Sequence, residues 1–262
     1  MKISVIIPVF NGAPFVDRAM SNVQSQSRPP DEIIFVDDGS TDGTARAIER
    51  YTSARYIYQV NAGPSAARNA GLKDSAGDLI AFIDVDDLWE SGKLEREAAI
   101  LEGDPSVDIG QGLILDVDSS GGSTNPSELR LERLSSPYAW VNLGSMLFRR
   151  SIFDRVGGFD VALKENEDTD WYIRAWESGT KKRVVDEVCL YYTIREGSLV
   201  TGQDASRSPL PMLMKRHRDR SREGGERSFD VSSAKAFFGV FPDRRQRYPR
   251  NDYIDIRLEE FA

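Results

Sequence analysis

Leu79-Ile80-Ala81-Phe82-Ile83-Asp84-Val85-Asp86-Asp87 is five apolar residues followed at once by three carboxylates in four positions. A short run with no polar alternation is expected of a strand covered on both faces. The same grammar recurs upstream. Ile3 to Ile7 runs into Pro8-Val9-Phe10-Asn11-Gly12, and Ile33 to Val36 runs into Asp37-Asp38-Gly39-Ser40. Arg55 to Val60 is a weaker strand candidate. Between these runs the apolar spacing turns helical: Phe15, Val16, Ala19, Met20 and Val23, then Thr44 to Tyr51, then Ala66, Ala67, Ala70 and Leu72 after Gly63-Pro64-Ser65. A βαβαβαβ alternation with short loops predicts an α/β fold with a mixed, mainly parallel sheet flanked by helices. Ligands of such sheets bind beyond the carboxyl ends of the strands, where Asn11, Asp37-Asp38 and Asp84 to Asp87 fall.

The pattern changes near residue 105. Ile109 to Val117, a turn at Ser119 to Ser123, and Val141 to Phe148 predict a partly antiparallel region. Glu167 to Ser178 has helical spacing, and Val184-Val185 and Val188 to Ile194 read as late strands. Three parts follow: 1–104 as an α/β half, 105–200 as the second half of the same domain, and 201–262 as a C-terminal extension. The extension is expected to be irregular or partly helical, with a short helix near Leu210 to Met214.

Composition narrows the chemistry. The 262 residues are 40% hydrophobic and 29% charged, too apolar for wholesale disorder. A single cysteine, Cys189, excludes an internal disulfide, and a single histidine, His217, excludes His-pair metal sites. Any metal must be held mainly by carboxylates, which favours Mg²⁺ or Mn²⁺. The net charge of −8 is uneven: residues 205–250 carry 12 Lys/Arg against 5 Asp/Glu. The acidic remainder argues against nucleic acid as a partner. The basic segment could meet a phosphate-bearing acceptor, an anionic membrane or the acidic body itself, or simply be solvated. No apolar stretch is long enough to span a bilayer, and the first one ends in Pro8, so it reads as a strand rather than a signal-peptide core. The expectation is a cytoplasmic protein, with peripheral contact at the inner membrane face through the basic segment as one option.

Each polar cluster has a plain and a functional reading. Asp84-Val85-Asp86-Asp87 is either a solvated turn before the helix from Gly92, or a divalent-cation site completed by diphosphate oxygens. Asp37 to Gly43 is either a turn with an N-cap or a carboxylate that meets a base or ribose. Gly63 to Asn69 opens a helix whose amides, with Arg68, could meet a phosphate. Glu165 to Asp170 either suits a helix dipole or supplies a general base. Neither G-x-G-x-x-G nor a P-loop is present.

Together these segments resemble glycosyltransferase family 2 and its GT-A fold. The motifs are Ser4 to Asn11, Ile34 to Thr44, Asn61 to Gly71, Ile83 to Trp89, Met146 to Arg150, Val156 to Asp160 and Glu167 to Arg174. The resemblance implies an inverting enzyme that moves one sugar from a nucleotide diphosphate sugar to an acceptor hydroxyl. It points to UDP as the nucleotide, with GDP and dTDP as alternatives. The acceptor could be a lipid-linked sugar, a glycan, a protein or a small molecule. Carried over by motif, Pro8, Val9, Phe10 and Asn11 line the nucleoside pocket, Asp38 meets the base, and Gly63 and Arg68 serve the base or diphosphate. Asp84 faces the ribose and the metal's water shell, Asp86 holds Mn²⁺ or Mg²⁺, Asp168 is the general base and Glu167 its neighbour at the substrate.

Two departures stand out. Many relatives carry a histidine after the late Tyr-rich strand, where this chain reads Tyr191-Tyr192-Thr193-Ile194-Arg195-Glu196-Gly197-Ser198. Arg195 is a candidate diphosphate ligand or a surface residue, and Glu196 to Asp204 a candidate lid. The absence of a Q-x-x-R-W motif argues for single-sugar transfer. A non-catalytic nucleotide-sugar binder and a nucleotidyltransferase remain as alternatives. Trp89, Trp140, Trp171 and Trp176 could stack on sugar, with Trp171 and Trp176 better suited to core, and Cys189 reads as inert core.

Overall fold

Strands β1 (Ile3–Val9), β2 (Glu32–Asp37), β3 (Ala54–Tyr58) and β4 (Leu79–Phe82) form where the apolar runs predict them. They pair in parallel in the spatial order β4-β1-β2-β3. The computed structural model describes residues 1–118, 130–163, 165–194, 215–220, 237–239 and 253–255. Helices α1 (Val16–Gln24), α2 (Thr44–Ile48) and α3 (Pro64–Asp74) are the crossovers. Successive strand residues point to opposite faces, and both faces are dry here. Val5 and Ile7 pack with Val16, Met20 and Val23 of α1, while Ile6 packs with Ile34, Val36 and Ala67 on the α3 side. That double burial is why the runs do not alternate. Gly71 lets α3 approach the sheet closely, since a Cβ there would overlap Ile6 and press on Val36.

The second half extends the same sheet. After β5 (Leu88–Trp89) and α4 (Lys93–Gly103) comes β6 (Ile109–Asp118), followed by β7 (Arg130–Arg133) and β8 (Met146–Arg149). Helices α5 (Ser151–Val156) and α6 (Glu167–Glu177) precede β9 (Lys182–Ile194). A short helix, α7, covers 215–220, and β10 (Tyr253–Asp255) pairs with β7. The order is β10-β7-β6-β8-β4-β1-β2-β3, with β9 parallel to β6 on its other edge and antiparallel to β5. The fold is the predicted mixed α/β sheet flanked by helices, and the described parts of 201–262 return to its body.

Two predicted elements take a different form. Of Val141 to Phe148 only the end is strand, because Asn142 bends the chain by accepting the Gly144 N–H and starting a 3-10 turn over Leu143–Ser145. Val184-Val185 and Val188 to Ile194 belong to one strand, β9, whose register against β6 shifts around Leu113. The turn at Ser119 to Ser123, the helix at Leu210 to Met214 and the segment Glu196 to Asp204 lie outside the described residues. The pair Arg149-Arg150 joins the sheet to two helices. Arg149 donates to the carbonyls of Leu101 and Asp104 at the end of α4, and Arg150 to Leu72 O and Ser75 Oγ at the end of α3. Each cation meets the negative end of a helix and satisfies its last acceptors.

Candidate active site

The carboxyl ends of β1, β2 and β4 form one rim. Asn11, at φ 51°, turns the chain out of β1, a left-handed conformation that asparagine tolerates better than most residues. Its N–H donates to Ser40 Oγ and its Oδ1 accepts the Thr41 N–H, which ties the first two strand ends together. Phe10 beside it is 53% exposed and offers an open ring face, whereas Val9 is core and gives its carbonyl to the Asp38 N–H. Pro8 is partly buried.

Asp38 is buried and holds the loop before α3. Its carboxylate accepts from Gln59 Nε2 at 2.6 Å, Ala62 N at 2.9 Å and Gly63 N at 2.8 Å. Two oxygens have about four acceptor directions, so little capacity is left for a base. The sequence offered Asp38 as a ligand contact and gave no sign of this second task. Gly63 takes φ 90° at the start of α3, and a Cβ there would meet open space, so its backbone lines the rim.

Arg68, one turn into α3, connects the two halves. Its Nη1 donates to Glu167 Oε1 at 2.5 Å and its Nη2 to Asp84 Oδ1 at 3.0 Å. The guanidinium lies 5.9 Å from the Phe159 ring centre. Burial disfavours its charge, but Asp84, Glu167 and Asp168 outweigh burial and raise its pKa. Two neighbours on α3 fasten the same junction. Ser65 Oγ donates to Asp160 O, and Asn69 bonds both the N–H and the carbonyl of Phe159. So the Asn61 to Gly71 and Val156 to Asp160 motifs are two sides of one contact.

Helix α6 opens at Asn166, the other described non-glycine residue with positive φ, at 60°. Residues in sparsely populated backbone regions cluster at functional sites. Glu167 is almost buried against Arg68. Asp168 keeps an open side, yet protein surrounds it, and its pKa is raised to about 6. Burial is the main cause and the Glu167 charge adds to it, while Arg68 and bonds from the Thr169 N–H and hydroxyl oppose.

The three carboxylates after β4 separate. Asp84 is exposed and Asp86 half-buried, whereas Asp87 is buried with its Oδ1 accepting the Thr193 N–H of β9 at 2.9 Å. Burial first, then Asp86 and Asp84, push the Asp87 carboxyl well above the usual range. Arg18 of α1 donates to Asp86 O at 2.7 Å and braces the turn, and nothing in the apolar spacing of α1 marks that residue. Among the described residues no group of three or more His, Cys, Asp or Glu could enclose a metal alone. Asp84 and Asp86 are carboxylates, the hard oxygen type that suits Mg²⁺ or Mn²⁺ when phosphates complete its shell. Arg195 lies outside the described residues.

Other candidates are placed elsewhere. His217 Nδ1 is 2.5 Å from Glu177 Oε1, and Glu177 lies nine residues, about 14 Å, along α6 from Asp168. Trp89 is core: its ring is fully buried and its Nε1 donates to Gly144 O at 2.7 Å, so it presents no face to a sugar. Trp171 is buried as expected, and Trp140 packs beside Phe238. Cys189 is buried, its thiol pushed up to about 12, first by burial. A depression lined by Asn69, Lys73, Arg150, Phe153 and Phe159 opens beside α3 and α5 and contains none of the converging carboxylates.

The rim therefore carries acids from both halves around one arginine, Arg68. The family model described as "Glycosyl transferase family 2" matches residues 4–157, more than half of the chain. The chain belongs to glycosyl transferase family 2. The uncharacterized glycosyltransferase YwdF of Bacillus subtilis (strain 168) is 31% identical over 193 residues, covering 70% of this chain and 71% of that protein. The uncharacterized glycosyltransferase alr2836 of Nostoc sp. is 31% identical over 175 residues, which cover 61% of this chain. The match spans about half, 54%, of alr2836's own length. Among solved structures, S. aureus TarS 1-349 in complex with UDP-GlcNAc matches with a TM-score of 0.68 and 23% identity, over 87% of this chain and 68% of that one. Mannosyltransferase PcManGT from Pyrobaculum calidifontis, in complex with GDP-Man and Mn²⁺, matches with a TM-score of 0.63 and 19% identity, over 90% and 67%. At these identities the two structures support the shared GT-A-like fold.

Proposed function

We propose that the protein is an inverting glycosyltransferase that moves one sugar from a nucleotide diphosphate sugar, UDP-linked by preference, to an acceptor hydroxyl. The observation that supports the reading is the junction of Asp84, Arg68 and Glu167, with Asp168 near enough to act on the Arg68 charge. Phe10 and the backbone at Gly63 would receive the nucleoside, with Asp38 shaping the loop that closes its edge. Asp84 and Asp86 would hold Mn²⁺ or Mg²⁺, which supplies electrophilic stabilisation of the diphosphate charge as it grows. PcManGT was solved with Mn²⁺ and GDP-Man, which supports that cofactor class. Arg68 adds a fixed positive charge in a partly dry site. Asp168, with a pKa of about 6, is mostly ionised at pH 7 and can still accept a proton from the acceptor hydroxyl. Attack from the face opposite the diphosphate then inverts the anomeric carbon. The family match favours sugar transfer over nucleotidyl transfer.

Donor turnover with Mn²⁺ tests the assignment. Asp86→Ala is expected to weaken both donor binding and turnover, Asp168→Asn to keep donor binding and lose transfer. Normal transfer by Asp168→Asn removes the base assignment, and full activity in excess EDTA removes the metal.

A further inference from the structure

The described residues of the basic segment, 215–220 and 237–239, lie against the helix that carries Asp168. On α7, Arg216 Nη1 donates to Asp160 Oδ2 at 2.7 Å and stands 3.7 Å from Asp170 Oδ1. Arg220 donates to both oxygens of Glu177, at 2.9 and 3.1 Å, and its Nη1 stands 3.6 Å from Asp170 Oδ1. His217 meets the same Glu177. Asp170 is 1% exposed and also accepts from Arg174 Nε at 2.9 Å, so three guanidinium groups enclose one buried carboxylate. Farther along, Phe237 lies on Tyr172 with ring centres 4.7 Å apart, and Phe238 packs near Trp176 and Trp140. Tyr172 and Trp176 belong to α6.

Asp160 precedes α6 and Asp170 lies in its first turns, and one guanidinium spans both. Glu167 and Asp168 stand between those two clipped points. The peptide leading to them carries the left-handed Gly157 and Asn166, backbone that does not fix the helix by itself. We infer that α7, with Phe237 and Phe238, is a clamp that sets the position of the base-bearing helix, Arg216 and Arg220 acting as positioning residues through Asp160 and Asp170. Its kinetic consequence rests on the proposed function; its structural consequence does not. The positive charge that the sequence offers to an anionic partner is, for these residues, met by the acidic body.

The test uses the full chain with Arg216→Gln/Arg220→Gln and Arg216→Lys/Arg220→Lys. In the Gln pair, amide exchange over 167–177 is expected to accelerate while β1, β2 and β4 keep their protection. Turnover should fall about tenfold at unchanged donor KM, since small displacements of a reacting group are costly. High salt should lower wild-type turnover slightly and that of the Gln pair less, because the two guanidinium groups, 34% and 31% exposed, are only partly screened. The Lys pair should recover part of the loss, as charge without the fork geometry. Unchanged exchange over 167–177 overturns the clamp whatever reaction the protein performs. Turnover lost only in step with donor affinity and melting temperature overturns the positioning role in favour of general stabilisation. A wild type without transfer activity removes the proposed function, and the exchange experiment still decides the clamp.

Discussion

Asp168 shows how a single residue is set by its surroundings. Its carboxyl is raised from an ordinary value of 3.8 to about 6, so the folded chain holds that proton more tightly than the unfolded chain. Stability from this group is therefore greatest at low pH and declines as pH rises from about 4 to 6. Asp168→Asn should raise the melting temperature at pH 7, and the gain should vanish toward pH 4, as thermal scans across that range will read. In the wild type, kcat/KM should fall below about pH 6 as the base is protonated, and a flat acid limb would contradict the assignment. Arg68 gives the opposite kind of prediction. Its side chain is 9% exposed and its partner Glu167 10% exposed, so Arg68→Ala strands a nearly buried carboxylate. The expected loss is about 3 kcal/mol in urea unfolding, with part recovered by adding Glu167→Gln. The types at 68, 84, 167 and 168 were legible as candidates in the sequence. That Arg68 binds two acids at once was not, because no spacing rule connects positions so far apart.

At the scale of elements, α4 carries an ion pair hidden from solvent. Lys93 Nζ is 2.6 Å from Glu97 Oε2, both side chains are fully buried, and the ammonium lies 4.5 Å from the Trp89 ring centre. Burial pushes the Glu97 carboxyl up to about 7 against the pull of Lys93. Lys93→Met leaves that acid without its counter-charge and should cost about 3 to 5 kcal/mol, whereas Lys93→Met with Glu97→Leu should lie near wild type, by chemical denaturation. Their i,i+4 spacing alone does not distinguish a surface pair from a buried one. Only the sheet packed over α4 makes them interior. The strands β1, β2 and β4 were legible because both their faces are buried, and burial on both faces leaves an unbroken apolar run. The bend at Asn142 and the single long β9 were not, because each depends on a cross-strand partner.

At the scale of the molecule, one sheet runs from the exposed β3 edge to β10, so the proposed donor and base sides share a continuous frame. A preformed frame predicts that ligand binding stabilises the whole fold. A panel of nucleotide sugars with Mn²⁺ should yield one that raises the melting temperature, a saturating ligand at 100 times its Kd contributing about 2.7 kcal/mol. Omitting Mn²⁺ or substituting Asp86→Ala should remove most of that shift. Among the described residues no helix is long and apolar enough to cross a membrane.

The order of apolar runs and carboxylate-rich turns determined the sheet, its crossovers and the rim at which chemistry belongs, because burial periodicity and turn chemistry are local properties of a chain. Only the tertiary structure decided which acids face the cleft. It turned Asp87 inward to Thr193, committed Asp38 to its own loop, and brought Arg68 between Asp84 and Glu167. It also folded the basic α7 onto α6. Each of these is a contact between distant segments, and its energy depends on a burial and a partner that exist only once the chain has closed on itself.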